Sequence, residues 1–184
     1  MNWAKDYYHP WDGMKGTCPV WGLNYVPDVE EDRRLHRNFH REVVTTFDPR
    51  PNAALKRRRA TIGEDFLPMN LGDPKWLHRR LYLIARMLMR ENGYDIPMWN
   101  ESGSESGGFL IVDLEGRALG GFAVGHDRRS MTLRWIWIAP PHRRQGWMRR
   151  SWEMLTDRFP GIMPEPPFSP AAEQYFVKIG VIEE

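Results

Sequence analysis

One cysteine in 184 residues excludes an internal disulfide and favours a reducing compartment. Long apolar runs are missing too. The richest stretch, Met131–Pro141, is far too short to span a bilayer and carries Arg134. Met1–Pro10 has no apolar core of a secretory signal. The expectation is an intracellular, cytoplasmic protein (nuclear in a eukaryotic host) with no membrane partner. Charge of one sign is also scarce. Lys+Arg number 26 against 24 Asp+Glu, and a net +2 does not argue for nucleic acid.

What is present is ordinary for a soluble globular chain. Hydrophobic residues make up 41% and charged residues 27%, which excludes disorder throughout. The length suits one domain, or one with a small appendage. Nine tryptophans are unusual. Trp76, Trp99, Trp135, Trp137, Trp147 and Trp152 fall in or beside patterned segments, and a compact aromatic core is the expectation for them.

Composition divides the chain into three zones. Residues 1–49 are rich in Trp, Tyr and His; 50–69 read as a proline-bounded linker carrying the basic run Lys56–Arg59; 70–184 carry clear structural signals. Asp28 and Glu31 suggest a capping box, with Leu35, Phe39 and Val43 on one helical face. Asp73-Pro74 opens a helix striped by Leu77, Leu81, Ile84 and Leu88, which Asn92-Gly93 ends. Asn100–Gly108 reads as a loop. Phe109–Leu114 and Ala118–Val124 form a hairpin across Glu115-Gly116-Arg117. A tight turn, Gly125–Ser130, leads to a third strand, Met131–Ala139, which Pro140-Pro141 must end. A helix follows from about Arg144 to Phe159, then a short strand at Ile162-Met163, then a last helix capped by Ser169-Pro170.

The informative stretch is Trp135–Arg150: strand, break, arginine-rich loop, helix. A loop between a strand end and a helix start leaves backbone N–H groups without partners, and these with the helix dipole suit a pyrophosphate. Gly146 would let the backbone approach phosphates, and Arg143 and Arg144 add charge.

This arrangement resembles motif A of the GNAT acetyltransferase superfamily, Arg/Gln-x-x-Gly-x-Gly/Ala after a strand. Arg143, Gly146 and Met148 hold those places, Met148 departing from Gly/Ala. The N-terminal zone resembles the Cys-Cys-His-His finger of the sister-chromatid cohesion acetyltransferases. Cys18, Gly22, Tyr25, Glu31-Asp32, His36, Phe39 and His40 match it, and Trp21 stands at the second cysteine. The resemblance runs in order from about Gly16 to Gly180. Leu71–Leu88 matches the helix between finger and sheet, and Leu119-Gly120-Gly121 matches a hairpin pattern.

The resemblance implies an α/β fold: a mixed, mostly antiparallel GNAT-like sheet flanked by helices, preceded by a small finger-like segment. It implies acetyl-CoA-dependent N-acetylation of a primary amine, on a protein lysine or a small molecule, by direct transfer. Acetyl-CoA would lie on Ile138, Arg143, Arg144, Gln145, Gly146, Trp147 and Met148. Ile138 N–H is the candidate to polarise the thioester carbonyl. The family's long insertion, its catalytic serine and its catalytic aspartate have no match here, so neither those residues nor the family's substrate carries over.

Catalytic candidates are Tyr175, Glu165 and Ser169. The other reading of each is plain: Tyr175 core, Glu165 solvated, Ser169 a cap. Cys18, His36 and His40 are three candidate zinc ligands where structural sites use four; Asp32 or a water could complete the shell, but a finger-like fold without its metal is the expectation. The lone His9 and His78 read as surface or structural. A catalytically silent module contacting nucleic acid through Lys56–Arg59, or a protein partner, is the alternative function, though such a run is more often solvated.

Overall fold

The computed structural model describes residues 16–18, 24–93, 99, 106–127 and 130–183. The expectations for His9, Trp21, Gly22 and the loop 100–105 lie outside the described residues.

A two-stranded ribbon opens the chain, β1 (Gly16–Thr17) against β2 (Asn24–Tyr25). Helix α1 (Glu30–Phe47) follows. The capping box does not form. Val29 is the N-cap without a side-chain bond, and Asp32 instead accepts from the Val26 N–H at 3.1 Å. Leu35, expected on the buried face, is 41% exposed.

The segment read as a linker holds α2 (Ala53–Ile62) and strand β3 (Phe66–Pro68). Asn52 caps α2 by accepting from Ala54 N and Leu55 N, and Gly63 ends it in the left-handed region. The helix was hidden because Leu55 is its one buried residue among those described, so it shows no apolar stripe. Within the basic run, Arg58 pairs with Asp73 and Arg59 with Asp65. These cations organise the fold rather than a solvated loop.

Helix α3 (Lys75–Asn92) buries Leu77, Leu81, Ile84 and Leu88 as its stripe requires, and Gly93 is its left-handed C-cap. Three long strands come next: β4 (Ser106–Val112), β5 (Ala118–Asp127) and β6 (Ser130–Ile138). Helix α4 (Trp147–Arg158), strand β7 (Met163–Pro164) and helix α5 (Pro170–Lys178) complete the chain. Ser106–Gly108, expected as loop, begins β4. Helix α4 starts at Trp147 rather than Arg144, because Pro140–His142 form a 3-10 turn first.

The sheet order is β3-β4-β5-β6-β7, antiparallel except for parallel β6–β7. This is the expected mixed α/β, mostly antiparallel architecture. One face buries Leu77, Leu81, Ile84, Trp99, Trp135 and Trp137 beneath α3, together with Cys18 and Val43 of the N-terminal zone. The other buries Phe109, Phe122, Leu133, Trp147, Trp152 and Phe176 beneath α4 and α5. Alternation along β6 sends its tryptophans to one face and its isoleucines to the other. Trp76, expected in the core, is 43% exposed. It sits in the first turn of α3, off the stripe.

Candidate functional site

The site begins with an irregularity in β6. Ala123 pairs with Trp135 and Val124 with Leu133, so Arg134 is the extra residue of a β-bulge. Such a bulge bends a strand and can terminate pairing on its far side. That happens here. Strand β7 pairs with β6 only at Thr132 and Leu133, and Glu165 N–H adds one bond to Leu133 O at 2.9 Å. Beyond Arg134 the two strands part. Gly125 makes room for the Arg134 side chain, since a Cβ there would lie 2.2 Å from Arg134 Nε.

The parting leaves one edge of β6 open. Ala139 N–H donates to Leu119 O on β5 at 2.7 Å. By alternation, the backbone groups of Ile138 and Ile136 turn the other way, into the gap. The gap is a cleft of about 660 Å³. Its walls are Ile136–Ile138, the loop at Arg143–Arg149, the C-terminal end of α3 and the first turns of α5. Ligand pockets typically run to about 300–1,000 Å³, so this one has the size of a ligand site.

The loop has an unusual backbone. Arg144 has φ 60 and Gly146 has φ 80, both left-handed. Gly146 is therefore needed for its conformation, and the space its Cβ would occupy is open within 4 Å. Arg144 is the one described non-glycine residue with positive φ, a strained state that its surroundings must hold. The amides of Arg144 through Arg149 have no acceptor among the described residues. They stand at the start of α4, where the helix dipole favours negative charge. These donors beside an open strand edge fit a phosphorylated ligand with an amide-bearing arm, which is the chemistry of CoA.

The structure brings most of the expected cofactor residues to the cleft. Ile138, Arg143, Arg144, Gly146, Trp147 and Met148 all line it. Gln145 does not: its Nε2 donates to Pro141 O at 3.0 Å, and it lines a separate cavity with Asp113 and Arg150. Arg144 makes no ion pair among the described residues. Arg143 is held by Glu91 and by Ile138 O.

The catalytic candidates divide between two places. Glu165 stands at the apex where β6 and β7 part, in a narrow cavity of about 40 Å³ with Arg134, Phe168 and Ser169. Thr132 Oγ1 lies 3.0 Å from Glu165 Oε2 and 3.2 Å from Gly125 O. A hydroxyl has one proton, so it donates to only one of these oxygens at a time. Ser169 accepts from Ala172 N–H at 3.3 Å, the capping role, while lining both cavities. Tyr175 lines the large cleft near α4. Burial, and then the Glu153 carboxylate, push its phenol above the ordinary tyrosine value, against the pull of Arg149.

Reading the sequence missed Glu91, Asn92, Ile136, Arg149 and Thr132. Glu91 left a signal: an acid in the last turn of a helix opposes the dipole there. Thr132 left none, since only the register places it opposite β7.

The N-terminal zone gathers its three candidate ligands. The ligand atoms of Cys18, His36 and His40 lie within 4.8 Å of one another. Cys18 Sγ and His40 Nδ1 are 3.5 Å apart, close to the separation of about 3.5 Å that tetrahedral zinc bond lengths impose. The fit stops at three, because no fourth His, Cys, Asp or Glu joins the cluster among the described residues. Tyr25 stacks on His36 with centroids 4.0 Å apart. Burial lowers the pKa of His40, and burial with the charge of His40 lowers that of His36.

No family model and no curated protein matches this sequence. Solved structures do resemble it in fold. The xEco2 acetyltransferase domain bound to a CoA conjugate superposes with a TM-score of 0.50 at 14% identity, over 61% of this chain and 84% of that one. An acetyltransferase from Thermus thermophilus gives 0.48 at 19% identity, over 63% and 84%. An aminoglycoside N-acetyltransferase in complex with CoA gives 0.45 at 14%, over 65% and 92%. The first of these likenesses bears out the expected fold.

Proposed function

We propose that this protein is an acetyl-CoA-dependent N-acetyltransferase acting on a primary amine, of a protein lysine or a small molecule, by direct transfer. The observation that carries the reading is the parting of β6 from β7 at the Arg134 bulge. It creates an open strand edge that runs into a loop whose amides have no acceptor among the described residues. The open edge suits the amides of a pantetheine arm, and the amides of Arg144–Arg149 suit its pyrophosphate.

Bound acetyl-CoA would supply an acetyl group activated as a thioester. The chain's own groups supply the rest. An amine must lose a proton to attack, and Glu165, at the apex, is placed to accept it. Thr132 orients that carboxylate. Outward-turned N–H groups of β6, Ile138 among them, donate to the carbonyl oxygen as charge develops. Tyr175, kept protonated by its surroundings, is the candidate donor to the departing sulfur. Ser169 caps α5 and thereby sets where Tyr175 stands.

The N-terminal zone serves in this reading as a metal-free prop for α3. The silent nucleic-acid module is left with half of its basic run, the exposed Lys56 and Arg57, since Arg58 and Arg59 already have carboxylate partners. The experiment is acetyl-CoA turnover, read with a thiol reagent, against mixed amine acceptors. Release of CoA that depends on an amine, and that falls in Glu165→Gln, supports the proposal. Acetyl-CoA binding without turnover on any amine favours the silent module.

A further inference from the structure

The side chain of Arg143 is largely committed within the protein, with three of its five donors in use. Its Nη2 donates to Glu91 Oε2 at 2.6 Å, its Nη1 to Glu91 Oε1 at 2.5 Å, and its Nε to Ile138 O at 2.8 Å. This is a bidentate fork, the geometry that gives an arginine–carboxylate pair both strength and direction. Glu91 is fixed from the other side as well, because the buried Trp137 indole N–H donates to Oε2 at 2.7 Å. Three elements thus meet at one carboxylate: the last turn of α3, the end of β6 and the loop before α4.

Two consequences follow for the cleft. The residue after Arg143 is the strained Arg144, and a left-handed arginine persists only where neighbours over-determine it. The fork anchors the chain at the peptide before that strain. Ile138 O faces the open edge, and Arg143 Nε closes it, so the Ile136 carbonyl is the next along that edge open to a bound arm.

We infer that Glu91 is a positioning residue for the cofactor: through Arg143 it holds the Arg144–Arg149 amides in the shape that receives phosphates. It touches no phosphate itself. Arg143 likewise serves as a strut between Glu91 and the loop. Burial pushes the Glu91 carboxyl up, but the bonds from Arg143 and Trp137 outweigh it and keep the group below its ordinary value. The strut is therefore charged at neutral pH. The inference rests on the acetyl-CoA reading and adds a residue outside the loop that the reading does not require.

The test is binding to the full chain, with Glu91→Gln as the variant. Calorimetry with CoA should show affinity reduced about tenfold, the scale expected when a site is misplaced rather than removed. Pantetheine, which lacks the pyrophosphate, should bind as it does to wild type by ligand-observed NMR. Arg143→Ala should match Glu91→Gln, and the double variant should be no worse than either, because both break one strut. Glu91→Asp keeps the charge but shortens the reach. It should fall between, and it replaces the glutamine variant if that one fails to fold. Unchanged CoA affinity in folded Glu91→Gln overturns the inference. So does tighter CoA binding, which would mean that Glu91 competes with phosphates for Arg143. An equal loss for pantetheine would reduce Glu91 to a general structural role and overturns it too. If wild type binds no CoA, the acetyl-CoA reading fails first and the inference with it, a result distinct from all the others.

Discussion

The loop before α4 and the Cys18–His36–His40 cluster are both candidate sites marked by short motifs, one for an anion and one for a metal, yet they tolerate change differently. The loop offers backbone N–H groups. Its motif departs at Met148 from the pattern it resembles, and the amides of Arg144–Arg149 still have no acceptor among the described residues at the start of a helix. The cluster offers side chains. One departure, Trp21, leaves three ligands where structural zinc needs four. A backbone site depends on φ and ψ, so it survives most substitutions other than those that alter conformation or charge. A side-chain site is lost one residue at a time.

If catalysis follows the side-chain rule, single deletions should be severe. Tyr175→Phe removes only the hydroxyl and keeps the ring beside Phe176. Loss of a general acid typically costs about 10²–10⁴-fold in rate. Turnover should fall within that range while acetyl-CoA affinity holds. Full activity in the phenylalanine variant would eliminate Tyr175 and leave Glu165 as the proton-handling group.

If the loop follows the backbone rule, its weak point is Gly146. Aspartate enters the left-handed region more readily than most residues, so Gly146→Asp should fold. It would nevertheless set a carboxylate against the phosphates, and like charges juxtaposed in an interface cost several kcal/mol. Acetyl-CoA affinity should drop by about a hundredfold or more by calorimetry. Unchanged affinity would remove the phosphates from this loop.

The cluster gives a sharper contrast. Elemental analysis of the purified protein should find no stoichiometric zinc. One zinc per chain, lost in Cys18→Ala or His36→Ala, would show that a three-ligand site suffices here and would erase the distinction between the two regions.

The smallest effect expected is in pH dependence. Burial lowers the pKa values of His36 and His40 in the folded chain, so the unfolded chain binds more protons below its own histidine value. The stabilisation is complete above about pH 6.5 and declines as pH falls through the folded values. Thermal unfolding followed from pH 7.5 to 5.5 should show a falling midpoint. His40→Gln should flatten the slope, and an unaltered slope would contradict the assignment.

The three long strands, helices α3, α4 and α5 and the motif loop were legible because their signals are local. Pro140-Pro141 ends β6, Ser169-Pro170 starts α5, and the α3 stripe marks its own buried face. Helix α2 and β3 were not legible. One is held mainly by its caps and ion pairs, and the other is an edge strand of three residues, so neither needs an apolar pattern. Of the cleft, the loop could be read and its surroundings could not. The Arg134 bulge is a matter of register between two strands, and Glu91 meets Arg143 across 52 positions of sequence. Thr132 faces Glu165 only because β7 pairs where it does.

Amide hydrogen exchange, read with and without acetyl-CoA, tests the central claim most directly, since the claim concerns backbone groups. The account predicts slowed exchange in peptides covering Arg144–Arg149 and the outward amides of β6 from Arg134 to Ile138. The Cys18–His40 region should exchange at its free rate. Binding without protection of the loop, or no binding at all, would contradict it.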